Sequence, residues 1–189
     1  MIHKIAPFKR ALRSVEYKKI DAAAGAFRTP ERVKIFIYPK TRIDNEFSGI
    51  VFLRGTPFDK IKNLKGQIGK VRGYDYSAWL PSHLNIYEVN DTLQAIQMLR
   101  AKRISYHADA SVDIESSIKQ LKEKRDDFKI IKMYATPLYV IFTKNNRGQK
   151  MADIYDRGNK RLYKTGRLDE IMNKYGIKDI HYDPKDFYD

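Results

Sequence analysis

Apolar positions along this chain switch repeatedly between helical and strand spacing. Phe8, Ala11, Leu12 and Val15 recur at helical intervals, so the pattern predicts an amphipathic helix over roughly 7–19, with Pro7 suited to its first turn. IDAAAGAF (20–27) predicts a small, apolar strand. KIFIY (34–38) and GIVFLR (49–54) are β-rich. QIGKV (67–71) predicts a short strand after the turn residues Asn63 and Gly66, and NIYEV (85–89) predicts another. Leu93, Ile96 and Leu99 predict a helix over 92–102, RISYHA (103–108) a strand, and Val112, Ile118 and Leu121 a helix over 111–124. FKIIKMY (128–134) and LYVIFT (138–143) read as two strands. A long helix is predicted from Gly148 to Lys164, closed by Gly166, followed by a short one through Leu168, Ile171, Met172 and Tyr175. The tail IHYDPKDFYD reads as irregular. Strands alternating with helices predict an α/β architecture with largely parallel pairing.

Composition narrows this picture. The chain has 189 residues, enough for one ordinary domain or two small lobes, and 42% of them are hydrophobic. There are no cysteines, which excludes disulfides, thiolate metal sites and cysteine nucleophiles. No apolar run approaches the ~18 residues of a membrane-spanning helix. The opening MIHKIAPFKRALRSV shows no apolar segment of an export signal. Lys and Arg number 37 against 23 Asp and Glu, a net charge of +14. The densest basic stretches, 62–73 and 147–164, contain no block of like charges. This pattern favours solubility and electrostatic steering over nucleic-acid binding.

Three junctions carry candidate chemistry. In FRTPER (27–32), Thr29 can N-cap a helix whose first turn holds Pro30, Glu31 and Arg32. The free N–H groups of such a turn, with Arg28 and Arg32, suit a carboxylate, although an ordinary capped turn with arginines facing solvent fits the same residues. RGYDYS (72–77) offers Arg72, then Gly73 for close backbone approach, then Tyr74 and Tyr76, with a helix expected near Ser77. Asp109, at the end of the 103–108 strand, can receive a ligand ammonium or simply cap the next helix. Ligands of open α/β sheets lie beyond such strand ends. No nucleophile elbow, zinc-protease, P-loop or dinucleotide motif is present, and His3, His83, His107 and His181 are too scattered for a metal. Asp109 and Asp113 are spaced to share a helix face, a spacing that fits a solvated or capping pair. No enzyme, cofactor or metal is expected.

The order of KRALRSVEYKKIDAAAGAFRTPER, LKGQIGKVRGYDYS, VNDTLQAIQMLRAKRISYHAD and PLYVIFTKNNRGQKMADIYDRGNKRLYKTGRLDEIMNKYG resembles family three of the bacterial extracellular solute-binding proteins, the amino-acid receptors of ABC importers. The resemblance runs over roughly residues 5–177. It implies a type II periplasmic-binding-protein fold, two α/β lobes closing on a small polar ligand, an amino acid above all. It implies lobe one at 1–45 and 140–182, lobe two at 53–134, crossings at 46–52 and 135–139, and a tail at 183–189. Arg32 matches the arginine holding the ligand carboxylate, with Thr29 and Arg28 beside it. Arg72, Gly73, Tyr74 and Tyr76 fall in the second lobe's contact segment, and Asp109 is the nearest match to the ammonium-binding aspartate. Ser105, Tyr106 and His107 depart from the family pattern. The resemblance further implies a periplasmic location, a membrane permease as partner and no nucleic acid. The family's first strand-helix-strand unit has no counterpart here, so a shortened lobe one is expected, either pairing with a second copy through it or rearranged so that the pocket binds amino acids weakly or not at all. The rival expectations are a basic nucleic-acid or polyanion-binding protein and a truncated, non-binding interaction module of the same fold.

Overall fold

In the computed structural model, whose residues 5–175 are described, the first helix is α1 (Phe8–Glu16). It ends short of the predicted 19, where Lys18 turns the chain with a φ of 58°. The chain then divides into two units. One takes Glu46–Ala135 with the residues up to Lys9, and the other takes Arg10–Asn45 with the residues from Thr136 on. Two long strands, β3 (Asp44–Leu53) and β7 (Phe128–Thr143), contribute to both. Among the described residues no helix is long and apolar enough to cross a membrane.

The unit around 46–135 is a mixed sheet, in the order β7, β3, β6 (Tyr106–Ala110), β4 (Gln67–Val71), β5 (Asn85–Val89). β4 runs parallel to both β5 and β6, with Gln67 opposite Asn85 and Ile68 opposite Tyr106. β3 runs antiparallel to β6, with Gly49 opposite Asp109. Helices α3 (Thr92–Arg100) and α4 (Ser111–Gln120) pack one face. Val51, Val71, Ile96, Leu99, Ile114, Ile118 and Phe128 form the core there, each about 1.5–3 kcal/mol of burial. α3 starts where Asp91 accepts from the Gln94 N–H at 2.8 Å. It ends on Arg100, whose guanidinium reaches Glu123 and Asp127 at 2.5 Å and lies 4.8 Å over the Phe128 ring.

The second unit is built on the other half of β7. β1 (Ala22–Phe27) pairs antiparallel with it, Ala22 opposite Phe142 and Phe27 opposite Leu138. The register shifts between Ala23 and Ala26. The short helix α2 (Pro30–Ile35) leads into β2 (Phe36–Ile37), also antiparallel to β7. Then come α5 (Asn146–Lys164) and α6 (Arg167–Lys174). Asp156 of α5 accepts the N–H groups of Lys40 and Thr41 at 2.9 and 2.8 Å, tying the 38–43 loop to the helix. Among the described residues of this unit, Val15, Ala26, Phe27, Phe36, Ile141, Phe142, Ala152 and Leu168 are the buried apolar side chains.

Several expectations are corrected. Pairing is mixed rather than largely parallel: β1 and β2 run antiparallel to β7 and β3 antiparallel to β6, while β4 runs parallel to β5 and β6. Hydrophobic spacing marks strands but not their direction. The two strands expected at 128–134 and 138–143 are one, running through Pro137, whose fixed φ suits extended chain. KIFIY is half helix, since the Thr29 cap launches α2 through Ile35. No helix begins at Ser77: Tyr76, Trp79 and Leu80 are buried, and the segment folds as turns over them. The tail at 180–189 lies outside the described residues.

Two stability outcomes follow. A Cβ on Gly148 would sit 1.8 Å from the Thr143 carbonyl oxygen, whereas nothing lies within 4 Å of one on Gly158 in the same helix. Gly148→Ala should cost about 3 kcal/mol or more in urea unfolding, while Gly158→Ala should gain about 0.5–1 kcal/mol. Equal effects would show that the β7–α5 turn is looser than described. Arg100→Lys loses the forked contacts of a partly exposed site and should cost about 1 kcal/mol by the same measurement. A neutral result would mean that the network adds nothing to the α3–α4 packing.

Candidate functional site

The buried polar centre of the 46–135 unit is Asp109, 0% exposed on β6 just before α4. A carboxylate so placed must collect hydrogen-bond donors from its surroundings. Thr92 Oγ1, at the first position of α3, donates to Oδ2 at 2.6 Å. The Ala110 N–H donates to Oδ1 at 2.8 Å. Tyr76 Oη lies 3.3 Å from Oδ1. His107 Nε2, also fully buried, lies 2.8 Å from Oδ2. With Thr92 already donating to that oxygen, the proton is assigned to Nε2, leaving Nδ1 as a lone pair with no hydrogen-bond partner. Asp109 therefore serves as an acceptor through both oxygens.

Tyr76 extends this network outward. Its hydroxyl also lies 3.1 Å from Glu46 Oε1, at the start of this unit on β3. Burial, set against the Tyr76 hydrogen bond and reinforced by the charges of Asp109 and Asp113, pushes the Glu46 carboxyl up to about 7. Burial and the Asp109 charge likewise raise Asp113, whose residue is exposed on α4. The same causes push the phenols of Tyr74 and Tyr76 upward, so both stay protonated. Tyr74 meets Tyr76 edge-on at 6.3 Å and Phe8 at 5.3 Å. Trp79 tilts against Tyr76 at 5.2 Å, beside a cavity of about 440 Å³ lined by Lys70, Asp75, Trp79, Leu80 and Ile86.

The residues expected in the site thus divide. Tyr74, Tyr76 and Asp109 come together. Arg72 does not join them: it points to Glu88 at 3.2 Å on the exposed side of β4 and β5. Gly73, with a φ of 90°, passes close to α1, where a Cβ would meet Lys9 at 3.0 Å. On the other unit, Thr29 caps α2, its Oγ1 accepting from the Arg32 N–H at 3.3 Å. Arg32 is buried and Nη1 donates to the Phe27 carbonyl at 3.1 Å, which Tyr38 Oη also reaches at 2.8 Å. Arg28 is exposed and lies 5.8 Å over the Tyr38 ring. Among the described residues no group of His, Cys, Asp or Glu is placed to hold a metal ion; His3 and His181 lie outside them. Glu46, Thr92 and His107 were not expected in the site. An acid two residues into the strand DNEFSGIVFL and a lone histidine inside the buried YHADA were the available signals.

No family model matches the chain, and no curated protein matches it. Solved structures do. The substrate-binding protein of an amino-acid ABC transporter is 19% identical over 90% of this chain and 77% of its own, with a TM-score of 0.75. An ancestral arginine-binding protein bound to arginine is 19% identical over 90% of this chain and 78% of its own, with a TM-score of 0.76. A histidine kinase sensor domain with similarity to periplasmic binding proteins is 14% identical over 89% of this chain and 75% of its own, with a TM-score of 0.76. At such identities the likeness is one of fold, and the chain has the α/β fold of the periplasmic binding proteins.

Proposed function

We propose that this protein is a non-enzymatic solute-binding protein that captures a small polar ligand, an amino acid above all, outside the cytoplasm for the permease of an ABC importer. The observation that supports this most is the fold likeness to amino-acid-binding proteins over about nine-tenths of the chain. In this reading Arg32 is the anchor for the ligand carboxylate, with Thr29 and Arg28 beside it. Its guanidinium is already oriented by the Phe27 carbonyl, which lowers the entropy cost of a charge-assisted pair. Tyr74 and Tyr76 supply aromatic and hydroxyl contact. Asp109 is sealed from solvent, so it acts as a positioning residue behind Tyr76, and the exposed Asp113 takes the ligand ammonium. Arg72 and Gly73 shape the segment that carries the tyrosines.

A calorimetric screen of free amino acids against the full chain tests this. Binding of at least one is expected, and Arg32→Ala should weaken it by about 1.5–3 kcal/mol, or tenfold and more. Affinity should change little between low and moderate salt, since a desolvated ion pair is screened weakly. A protein that binds no amino acid but binds polyanions with a steep salt dependence would overturn the proposal and favour the net charge of +14 as the functional feature.

A further inference from the structure

Tyr76 has one hydroxyl proton and stands between two carboxyl groups, 3.1 Å from Glu46 and 3.3 Å from Asp109. A phenol can donate to one of them and accept from the other. It cannot fully satisfy two carboxylates at once. Asp109 is already an acceptor through both oxygens, taking donors from Thr92 and Ala110. Both contacts are hydrogen bonds at the same time when Glu46 carries a proton, donates it to Tyr76 Oη, and Tyr76 donates to Asp109. We propose that Glu46 is a proton-holding latch, a positioning residue that in its neutral form fixes the 72–82 segment to β3 through Tyr76 and releases it on ionisation.

Burial and the charges of Asp109 and Asp113 press the Glu46 carboxyl toward its neutral form, against the Tyr76 hydrogen bond, which favours the charged one. Tyr76 and Tyr74 come from the 72–82 segment, Asp109 from β6 and Asp113 from α4, and His107 lies one step further behind Asp109. The carboxyl sits near 7 rather than the usual range, so the switch falls at physiological pH. The linkage has a definite sign. A carboxyl raised in the folded state stabilises it fully below the unfolded value, near 4.5, and that stability is lost as pH rises to about 7. The latch holds Tyr74 and Tyr76, which the proposed function reads as ligand contacts, yet it needs no ligand to be observed.

The chain carries one tryptophan, Trp79, buried against Tyr76 in the same segment, so its emission reports the latch. In the ligand-free full chain, Trp79 emission should titrate between pH 5 and 9 with a midpoint of about 7, and the thermal midpoint should fall as pH rises from about 4.5 to about 7. Glu46→Gln, which can donate to Tyr76 but cannot ionise, should abolish the emission step and flatten the fall. Tyr76→Phe should shift the step, because it removes the bridge to Asp109. Infrared difference spectra between pH 6 and 8 should show a protonated carboxyl band that disappears in Glu46→Gln, and in wild type this measurement stands even where a variant fails to fold. A step that survives in Glu46→Gln would assign the titration to another group and overturn the proposal, as would flat emission or the lack of a carboxyl band in wild type. None of these readouts depends on whether an amino acid binds, so failure of the ligand screen leaves the latch decided on its own evidence.

Discussion

An ionised group with no access to water must be surrounded by donors, and the 46–135 unit is organised around that demand at Asp109. The donors come from three places: the first residue of α3, the 72–82 segment, and β6 itself, through His107 and the Ala110 N–H. They are hydroxyls, a ring nitrogen and a backbone amide rather than lysine or arginine. Neutral donors satisfy the oxygens without cancelling the charge. Losing one would leave a buried acceptor short, at about 1–3 kcal/mol. The position of α3 along the sheet and the non-helical path of residues 72–82 are therefore tied to one carboxylate. The core of Val51, Ile96, Leu99 and Ile114 supplies most of the burial energy, but apolar packing alone would tolerate a shift of α3 that the 2.6 Å contact from Thr92 does not.

The other unit meets its polar demands by local means. The Phe27 carbonyl at the end of β1 accepts from Arg32 and from Tyr38, so the turn that carries the arginine is fixed by the strand it leaves. Asp156 does the same for the loop at Lys40 and Thr41. On the surface some cations face nearby acids, as Arg147 faces Asp21 and Arg125 faces Glu115. The Arg147 hydrogen bond holds the Asp21 carboxyl below its usual range, although such exposed pairs add little stability. A net charge of +14 distributed in this way raises solubility without building a basic face from contiguous residues.

What the sequence made legible was the part governed by local rules. The Thr29 cap with Pro30 behind it, the apolar face of α3 and the long helix through Arg161 follow from spacing and capping alone. Strand direction did not, because β3 and β7 gain their antiparallel partners from distant parts of the chain. The missing helix at Ser77 has the same origin. Its residues favour a capped turn, but burying Tyr76 and Trp79 together outweighs one short helix. Glu46 and His107 were hidden for a related reason. Each is a polar residue whose strand does not show which way it faces, and only tertiary pairing shows that it faces Asp109 directly or through Tyr76 rather than solvent.

The fold therefore places two kinds of acid in one unit, and their difference is physical rather than chemical. Asp109 is wholly buried yet supplied with donors, so its charge is accommodated by fixed dipoles. Glu46 is only partly buried but has Tyr76, a donor already claimed by Asp109, as its hydrogen-bonding neighbour. The two acids differ in their supply of donors, and Glu46 lies at the edge of the unit, where β3 enters from the rest of the chain. Any cation approaching Tyr74 and Tyr76 meets a field whose strength is set by the proton on Glu46, while the scaffold that positions those tyrosines is held by Asp109.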